Sequence, residues 1–262
     1  MKVTVLGSGM TATYPGLEFR YPSSHLVQAG DHNILLDISV GTLPQLAKLG
    51  LSPTDIDTIC ISHYHADHFA MEPFLQALYV LLRERPDAQP TGLRICGPPD
   101  IESRVRDGYC LKGWNFDNDL LQYARIMFVP YQDDQMFDIG EDLHITPFIT
   151  PHFKLEAYAL RLETEGQVLA YSGDSTDSPA LETAAKQADL FLCEASQDVG
   201  TGPNEGHIDP RTAGDVAKRA EAKRVVLVHY SGNDTADAMT TDVQASGYTG
   251  QVNIAQDLST YE

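Results

Sequence analysis

Basic residues are scarce: 18 Lys and Arg stand against 37 Asp and Glu among 262 residues, a formal charge of −19 at pH 7. Nucleic-acid affinity rests on Lys and Arg contacts to phosphates, so extended RNA or DNA is a poor partner. The acidic excess reads as a solvated, soluble surface. It does not exclude a small anionic substrate, because bound cations would dominate the field of any site that held them. Long apolar runs are missing too. The longest, residues 69–82, is broken by Glu72, Pro73 and Gln76 and is shorter than the about 20 residues a bilayer demands. It is expected to form a buried helix, with no membrane partner. "MKVTVLGSGM" enters a strand at once and lacks the small-residue cleavage site of a secretory signal, so the cytoplasm is the expected location. Cysteine is sparse as well. Cys60, Cys96, Cys110 and Cys193 include no Cys-x-x-Cys pair, which argues against a zinc knuckle or redox couple. Cys60 and Cys193 read as small buried strand residues. No linker, low-complexity tract or short-period repeat interrupts the chain. With 42% hydrophobic content, residues 1–262 are expected to form a single compact domain.

What is present is histidine at high local density. Ser62-His63-Tyr64-His65-Ala66-Asp67-His68 packs three imidazoles and a carboxylate directly after the apolar run 58–61, and metal binding is the usual reason for such crowding. In an extended segment His63 and His65 project to one side, because side chains alternate with period two. They can share an ion. Asp67 and His68 follow at once, so a turn there aims them at a second point close to the first. The spacing suggests two metals.

Further ligands should come from other strand ends. His152 follows the apolar run 145–149, Asp174 follows 168–171, and His229 ends the run 225–228. Ligands at the carboxyl ends of strands converge on one edge of a sheet, where open α/β structures place their sites. The two halves of the chain look alike in order, with short apolar runs alternating with helical stretches, as in a sandwich built from two β-rich halves.

These residues together resemble the metallo-β-lactamase superfamily, whose hydrolases carry His-x-His-x-Asp-His followed by a strand-end His, a strand-end Asp and a last strand-end His. The resemblance implies an α/β fold, a four-layer αββα sandwich with metals along one edge of the two sheets. It implies that His63, His65 and His152 bind one ion, that Asp67, His68 and His229 bind the other, and that Asp174 bridges both. Asp37, in "ILLDIS", matches a carboxylate behind the ligands that could orient an imidazole through its free ring N–H. Ser39 stands where the family often has Gly, a departure confined to a local turn. Imidazole and carboxylate ligands without thiolate suit zinc, while manganese or iron would fit the same groups. An oxygen-reducing di-iron enzyme fits less well, since that pattern usually has Glu at the place of His65 and a flavodoxin partner domain, which this chain lacks.

A second constellation follows the bridging Asp. "ADLFLCEAS" is a strand ending in Glu194, followed by a Gly-rich loop and "EGHIDPRTAGDVAKRA". Asp209 is a good N-cap, Pro210 a good first-turn residue, and Ala213, Val216, Ala217 and Ala220 recur at helical spacing. His207 therefore precedes a helix amino terminus, which favours a nearby phosphate or carboxylate. Glu followed by Gly-His before an Ala-rich helix resembles the ribonuclease Z-like branch, where such a pair assists phosphodiester cleavage. By that resemblance Glu194 would orient His207. The long arm with which ribonuclease Z grips transfer RNA would follow the strand-end His. Here His152 and Asp174 are only 174 − 152 = 22 residues apart, too few to hold it.

The expected chemistry is two-metal hydrolysis of a small phosphodiester, cyclic or nucleotide-type. Asp67 would take up or steer the water's proton and His207 would protonate the leaving alkoxide. Carboxyl-ester, thioester or lactone hydrolysis on the same centre is the alternative, with a ribonuclease Z-type endonuclease and a non-catalytic metal-binding module behind it. Lys154 and Arg211, near His152 and His207, read as surface charges rather than anion ligands. Tyr109, Trp114, Phe116, Tyr123 and Tyr131, within residues 97–140, read as core packing. "GSG" at residues 7–9 lacks the third Gly of a nucleotide loop and reads as a turn near the site. A homodimer is a modest expectation.

Overall fold

The computed structural model describes residues 1–10, 17–84, 92–110 and 112–262. Its strands form two seven-stranded sheets, each assembled by one half of the chain apart from a final edge strand. In the first half, β1 (Lys2–Gly7), β2 (Ser24–Ala29) and β3 (His32–Leu36) pair antiparallel. β4 (Thr58–Cys60), β5 (Gly92–Gly97) and β6 (Arg125–Pro130) then add in parallel to β3. The second half repeats this order after a short edge strand, β7 (Phe137–Asp138). β8 (His144–His152), β9 (Leu155–Thr164) and β10 (Gln167–Tyr171) form an antiparallel meander. β11 (Leu190–Glu194), β12 (Arg224–Val228) and β13 (Gln251–Ile254) then add in parallel. β14 (Thr260–Tyr261) returns to the first sheet beside β1.

The helices occupy matching places as well. α1 (Thr42–Lys48), α2 (Met71–Glu84) and α3 (Ile101–Cys110) follow β3, β4 and β5, while α4 (Pro179–Ala185), α5 (Pro210–Arg219) and α6 (Ala236–Ala245) follow β10, β11 and β12. The likeness of the two halves expected from the sequence is thus a repeat of topology.

Period-two alternation sorts the apolar side chains into layers. Leu190 and Leu192 enter the core between the sheets, whereas Phe191 and Cys193 between and after them pack outward under the helices. Leu169, Tyr171, Val226 and Val228 face inward, opposite Val3, Val5, Ile34, Leu36 and Cys60 of the first sheet. Met71, Phe74, Leu75, Leu78, Tyr79 and Leu82 form one buried face of α2 over the outer side of the first sheet. This corrects the expectation of a buried helix over residues 69–82: the helix starts at Met71, and only one stripe of it is buried. On the other side, Ala213, Val216 and Ala217 of α5 cover the second sheet, their small size letting the helix sit close. The result is the expected αββα sandwich. Cys60, Cys96 and Cys193 are buried thiols and Cys110 is exposed. Tyr109, Phe116 and Tyr131 are buried, with Trp114 and Tyr123 packed against the outer core. Among the described residues no helix is long and apolar enough to cross a membrane.

Candidate metal centre

Every candidate ligand named from the sequence comes to one edge, at or just beyond the carboxyl ends of β4, β8, β10 and β12. Residues 61–65 leave β4 outside regular strand structure, held by Ile61 N–H on the Cys96 carbonyl at 2.9 Å and Tyr158 N–H on the Ser62 carbonyl at 3.1 Å. A turn over residues 66–68, closed by His68 N–H on the His65 carbonyl at 3.0 Å, reverses the chain. His63 and His65 stay together while Asp67 and His68 point to a second place. Two separate donor sets result, His63, His65, His152 and Asp174 in one, Asp67, His68 and His229 in the other, and a third grouping draws Asp174 and His229 from them and adds His207, the atoms of each within 4.8 Å of one another.

The first set has the dimensions of a coordination shell. Nδ1 of His65 lies 3.0 Å from His63 Nε2 and 3.1 Å from His152 Nε2, and Asp174 Oδ2 lies 3.7 and 3.9 Å from those Nε2 atoms. Tetrahedral zinc with bonds of about 2.0–2.1 Å separates its ligand atoms by about 3.3 Å.

The partners of the opposite ring nitrogens assign the tautomers. Ser62 Oγ donates to Asp37 Oδ2 at 2.7 Å and so accepts from His63 Nδ1 at 3.0 Å. His152 Nδ1 donates to the Gly206 carbonyl at 2.8 Å. Both Nε2 atoms are therefore bare lone pairs aimed at His65 Nδ1, which carries at most one proton. A cation satisfies all three.

The second set repeats this logic. His68 Nδ1 donates to Asp37 Oδ2 at 2.8 Å, leaving Nε2 without a hydrogen-bond partner at 3.3 Å from Asp174 Oδ1, itself buried and unpartnered by hydrogen bonds. Ser196 Oγ donates to Glu194 Oε2 at 2.7 Å and accepts from His229 Nδ1 at 2.7 Å, which leaves His229 Nε2 3.4 Å from Asp67 Oδ2. Orphaned lone pairs on buried atoms are costly. The residues present fit a metal.

Two carboxylate–serine–histidine relays therefore stand behind the ligands: Asp37–Ser62–His63 and Glu194–Ser196–His229. Ser62 and Ser196 each lie two residues beyond the end of the equivalent strands β4 and β11, so the repeated fold places them alike. Neither serine was given a role from the sequence, although Ser62 precedes His63 and Ser196 lies two residues past Glu194. Such outer partners fix ring orientation and raise ligand basicity. The Asp37 carboxylate accepts four hydrogen bonds, from Ser62 N–H at 2.6 Å, Ser62 Oγ at 2.7 Å, His68 Nδ1 at 2.8 Å and Tyr171 OH at 2.6 Å. Asp37 does so at φ +57°, and His229 sits at +51°, the kind of backbone strain that functional sites retain. The turn after Asp37 forms despite Ser39, whose N–H donates to Thr42 Oγ1 at 2.9 Å. Asp37→Asn keeps the shape but puts an N–H among those donors. It is expected to weaken zinc binding about 10–100-fold, read by competition with a chelator of known affinity.

Electrostatics point the same way. Burial, reinforced by His68, takes His63 down to about 3, so its ring is neutral. Burial likewise lowers His152. Burial opposes charge on His68, but Asp174 and Asp37 outweigh it and hold the imidazole well above its usual value, so with no cation bound a proton on Nε2 takes the positive place that a metal would fill. Burial also opposes ionisation of Asp174, and His229, His68 and His63 overcome it. Carboxylates enclosed this way demand positive charge.

Glu194 is the second buried carboxylate hub. It accepts from Ser175 N–H at 2.7 Å, beside Asp174, from Ser196, and from His207 Nδ1 at 3.0 and 3.1 Å. His207 lies between His152 and His229, with ring centroids 4.9 and 5.9 Å away. Burial opposes its charge, while the hydrogen bond and charge of Glu194 raise it above the ordinary value. α5 starts as expected, with Asp209 accepting from Thr212 N–H at 2.9 Å. Lys154 is exposed, and Arg211 donates to the Ala245 carbonyl at 3.3 Å, away from the cluster. Gly9 bridges Tyr230, the residue after His229, so residues 7–9 do lie near the site, but Gly7 ends β1 and Gly9 sits in a bridge, which corrects the expected turn.

The Beta-lactamase superfamily domain model matches residues 32–230. The chain belongs to that superfamily. It is 27% identical over 274 residues to "Probable metallo-hydrolase YhfI" of Bacillus subtilis (strain 168), covering 98% of this chain and 97% of that protein. The crystal structure of YhfI superposes with a TM-score of 0.82 at 24% identity, over 99% of this chain and 98% of that one. Ribonuclease Z of Myxococcus xanthus (strain DK1622) is 27% identical over 316 residues, 100% of this chain and 97% of that protein. A solved diphosphatase from the PhnP family shares the fold, with TM-score 0.75 and 17% identity over 100% and 97% of the two chains. The protein is thus a superfamily metallo-hydrolase with a His/Asp cluster able to bind metal.

Proposed function

We propose that the protein is a dinuclear phosphodiesterase that uses two divalent ions, best suited as zinc, to hydrolyse a small phosphodiester. His63, His65 and His152 would hold one ion and Asp67, His68 and His229 the other, with Asp174 between them. Thiolate-free imidazole and carboxylate donors support zinc. When bound, such ions supply nucleophilic water near neutral pH and neutralise charge building on the substrate's oxygens.

The chain's own groups divide the proton work. Asp67, whose side chain is 10% exposed, stands where a carboxylate oxygen can take the proton that water loses. The observation that carries phosphodiester chemistry is the Glu194–His207 pair. Glu194 occupies Nδ1 and favours the protonated ring, so Nε2 would give its proton to a departing alkoxide. Ribonuclease Z, 27% identical across the chain, supports phosphodiester chemistry. Small substrates are favoured by the acidic surface and by the stretch between His152 and Asp174, which β9 and β10 largely take up.

Metal-replete protein should be assayed on bis(p-nitrophenyl) phosphate, nucleotide diesters, RNA, acyl esters and lactones, with metal content by elemental analysis. Two ions per chain and preferred turnover of small diesters are expected. A faster acyl reaction unmoved by His207→Ala, preferred cleavage of RNA, or metal-loaded protein inert toward every substrate would defeat the proposal.

A further inference from the structure

Phe153 is a large apolar side chain left 51% exposed at the tip of the β8–β9 hairpin, directly after His152. Its backbone has φ +50°, a region bulky residues seldom occupy, and its N–H is tied to the Glu205 carbonyl at 3.1 Å. The ring packs over Gly206, where a Cβ would fall 2.4 to 2.7 Å from ring carbons. Its centroid is 5.1 Å from His152 and 5.5 Å from His207, nearly perpendicular to the latter at 76°. The Gly206 carbonyl in turn holds His152 Nδ1. Ligand, proton donor and exposed aromatic ring are therefore locked together by two loops.

An ordinary Phe would be buried, and this one is held in an unusual backbone conformation with about half its surface in water. We infer that Phe153 is an aromatic platform on which a flat ring of the substrate, such as a nucleobase, stacks while the phosphodiester lies over the metal cluster. This rests on the phosphodiesterase reading and narrows it to diesters that carry an aromatic group on the His207 side. Stacking on a single ring is tolerant of base identity, so preference for a base over none is expected, with little choice among bases.

Binding to the metal-loaded protein tests this without turnover. Calorimetric titration with adenosine 5′-monophosphate and with ribose 5-phosphate is expected to show about tenfold tighter binding of the compound with the base, the scale of one base–aromatic stack. In Phe153→Ala the two affinities should converge to within about twofold. Phe153→Trp should keep the preference, and Phe153→Leu, which retains apolar bulk but no ring, should lose most of it. Zinc content and melting temperature identify any variant that fails to fold, and the Trp and Leu variants then decide. A preference that persists in Ala or Leu, or equal binding of the two compounds by the wild type, overturns the inference. Absence of diester turnover with the preference intact and lost in Phe153→Ala would remove the diesterase reading alone and leave the platform supported.

Discussion

An Asp174→Ala protein is expected to lose hydrolysis by about a thousandfold or more, the scale on which removal of a central catalytic group is felt, and to retain fewer than two equivalents of zinc. Asp174 is within reach of both donor sets. Its Oδ2 lies 3.7 and 3.9 Å from Nε2 of His63 and His152, and its Oδ1 lies 3.3 Å from His68 Nε2 and 3.4 Å from His229 Nδ1. Without it the imidazoles face one another with no shared anion, and two close cations would repel across the gap. Asp174→Asn, which keeps the shape and removes the charge, is expected to show the same loss in milder form. Elemental analysis after dialysis and kcat/KM on a diester provide the readout. Full zinc stoichiometry with near-native turnover in the alanine variant would show that the two sets are not joined through this residue.

His207→Ala should separate substrates by their leaving groups. A diester that expels an alkoxide needs a proton at the departing oxygen, so its rate is expected to fall about 10²–10⁴-fold, the usual contribution of a positioned acid. p-Nitrophenolate is stable as an anion and leaves unaided. Bis(p-nitrophenyl) phosphate should therefore be far less affected. Zinc content should hold in this variant, because the two separate donor sets are complete without His207. Equal losses on both substrates would mean that the imidazole does something other than donate a proton. Glu194→Gln is expected to show the same selectivity in weaker form, since it removes the charge that raises His207.

Much of the centre was legible because its chemistry is local. Metal ligation needs particular side chains, and strand ends bring them to one edge whatever lies between, so His152, Asp174 and His229 could be read from apolar runs that stop in a His or Asp. Glu194 and His207 were visible for a similar reason, one ending a strand and the other preceding a capped helix. The α2 boundary was less legible. Phe69 belongs to the loop that pairs with Ile38, and its hydrophobicity could not tell a bridge residue from a helical one.

Ser62, Ser196, Tyr171, Phe153 and the Gly206 carbonyl escaped notice. A serine beside a histidine is common, and only a carboxylate brought close by the fold makes it a relay. Asp37 and Tyr171 are 134 residues apart and meet across the two sheets.

From the sequence alone came the candidate donor residues and their order, because residue type and hydrophobic period are properties of short segments, while the αββα layering came from the resemblance those residues carry. Tertiary structure decided which imidazole nitrogens are bare, how two buried carboxylates enforce those tautomers, and that a half-exposed phenylalanine ring stands beside His207. Those facts depend on directions between groups far apart in the chain, and direction exists only once the two sheets have packed.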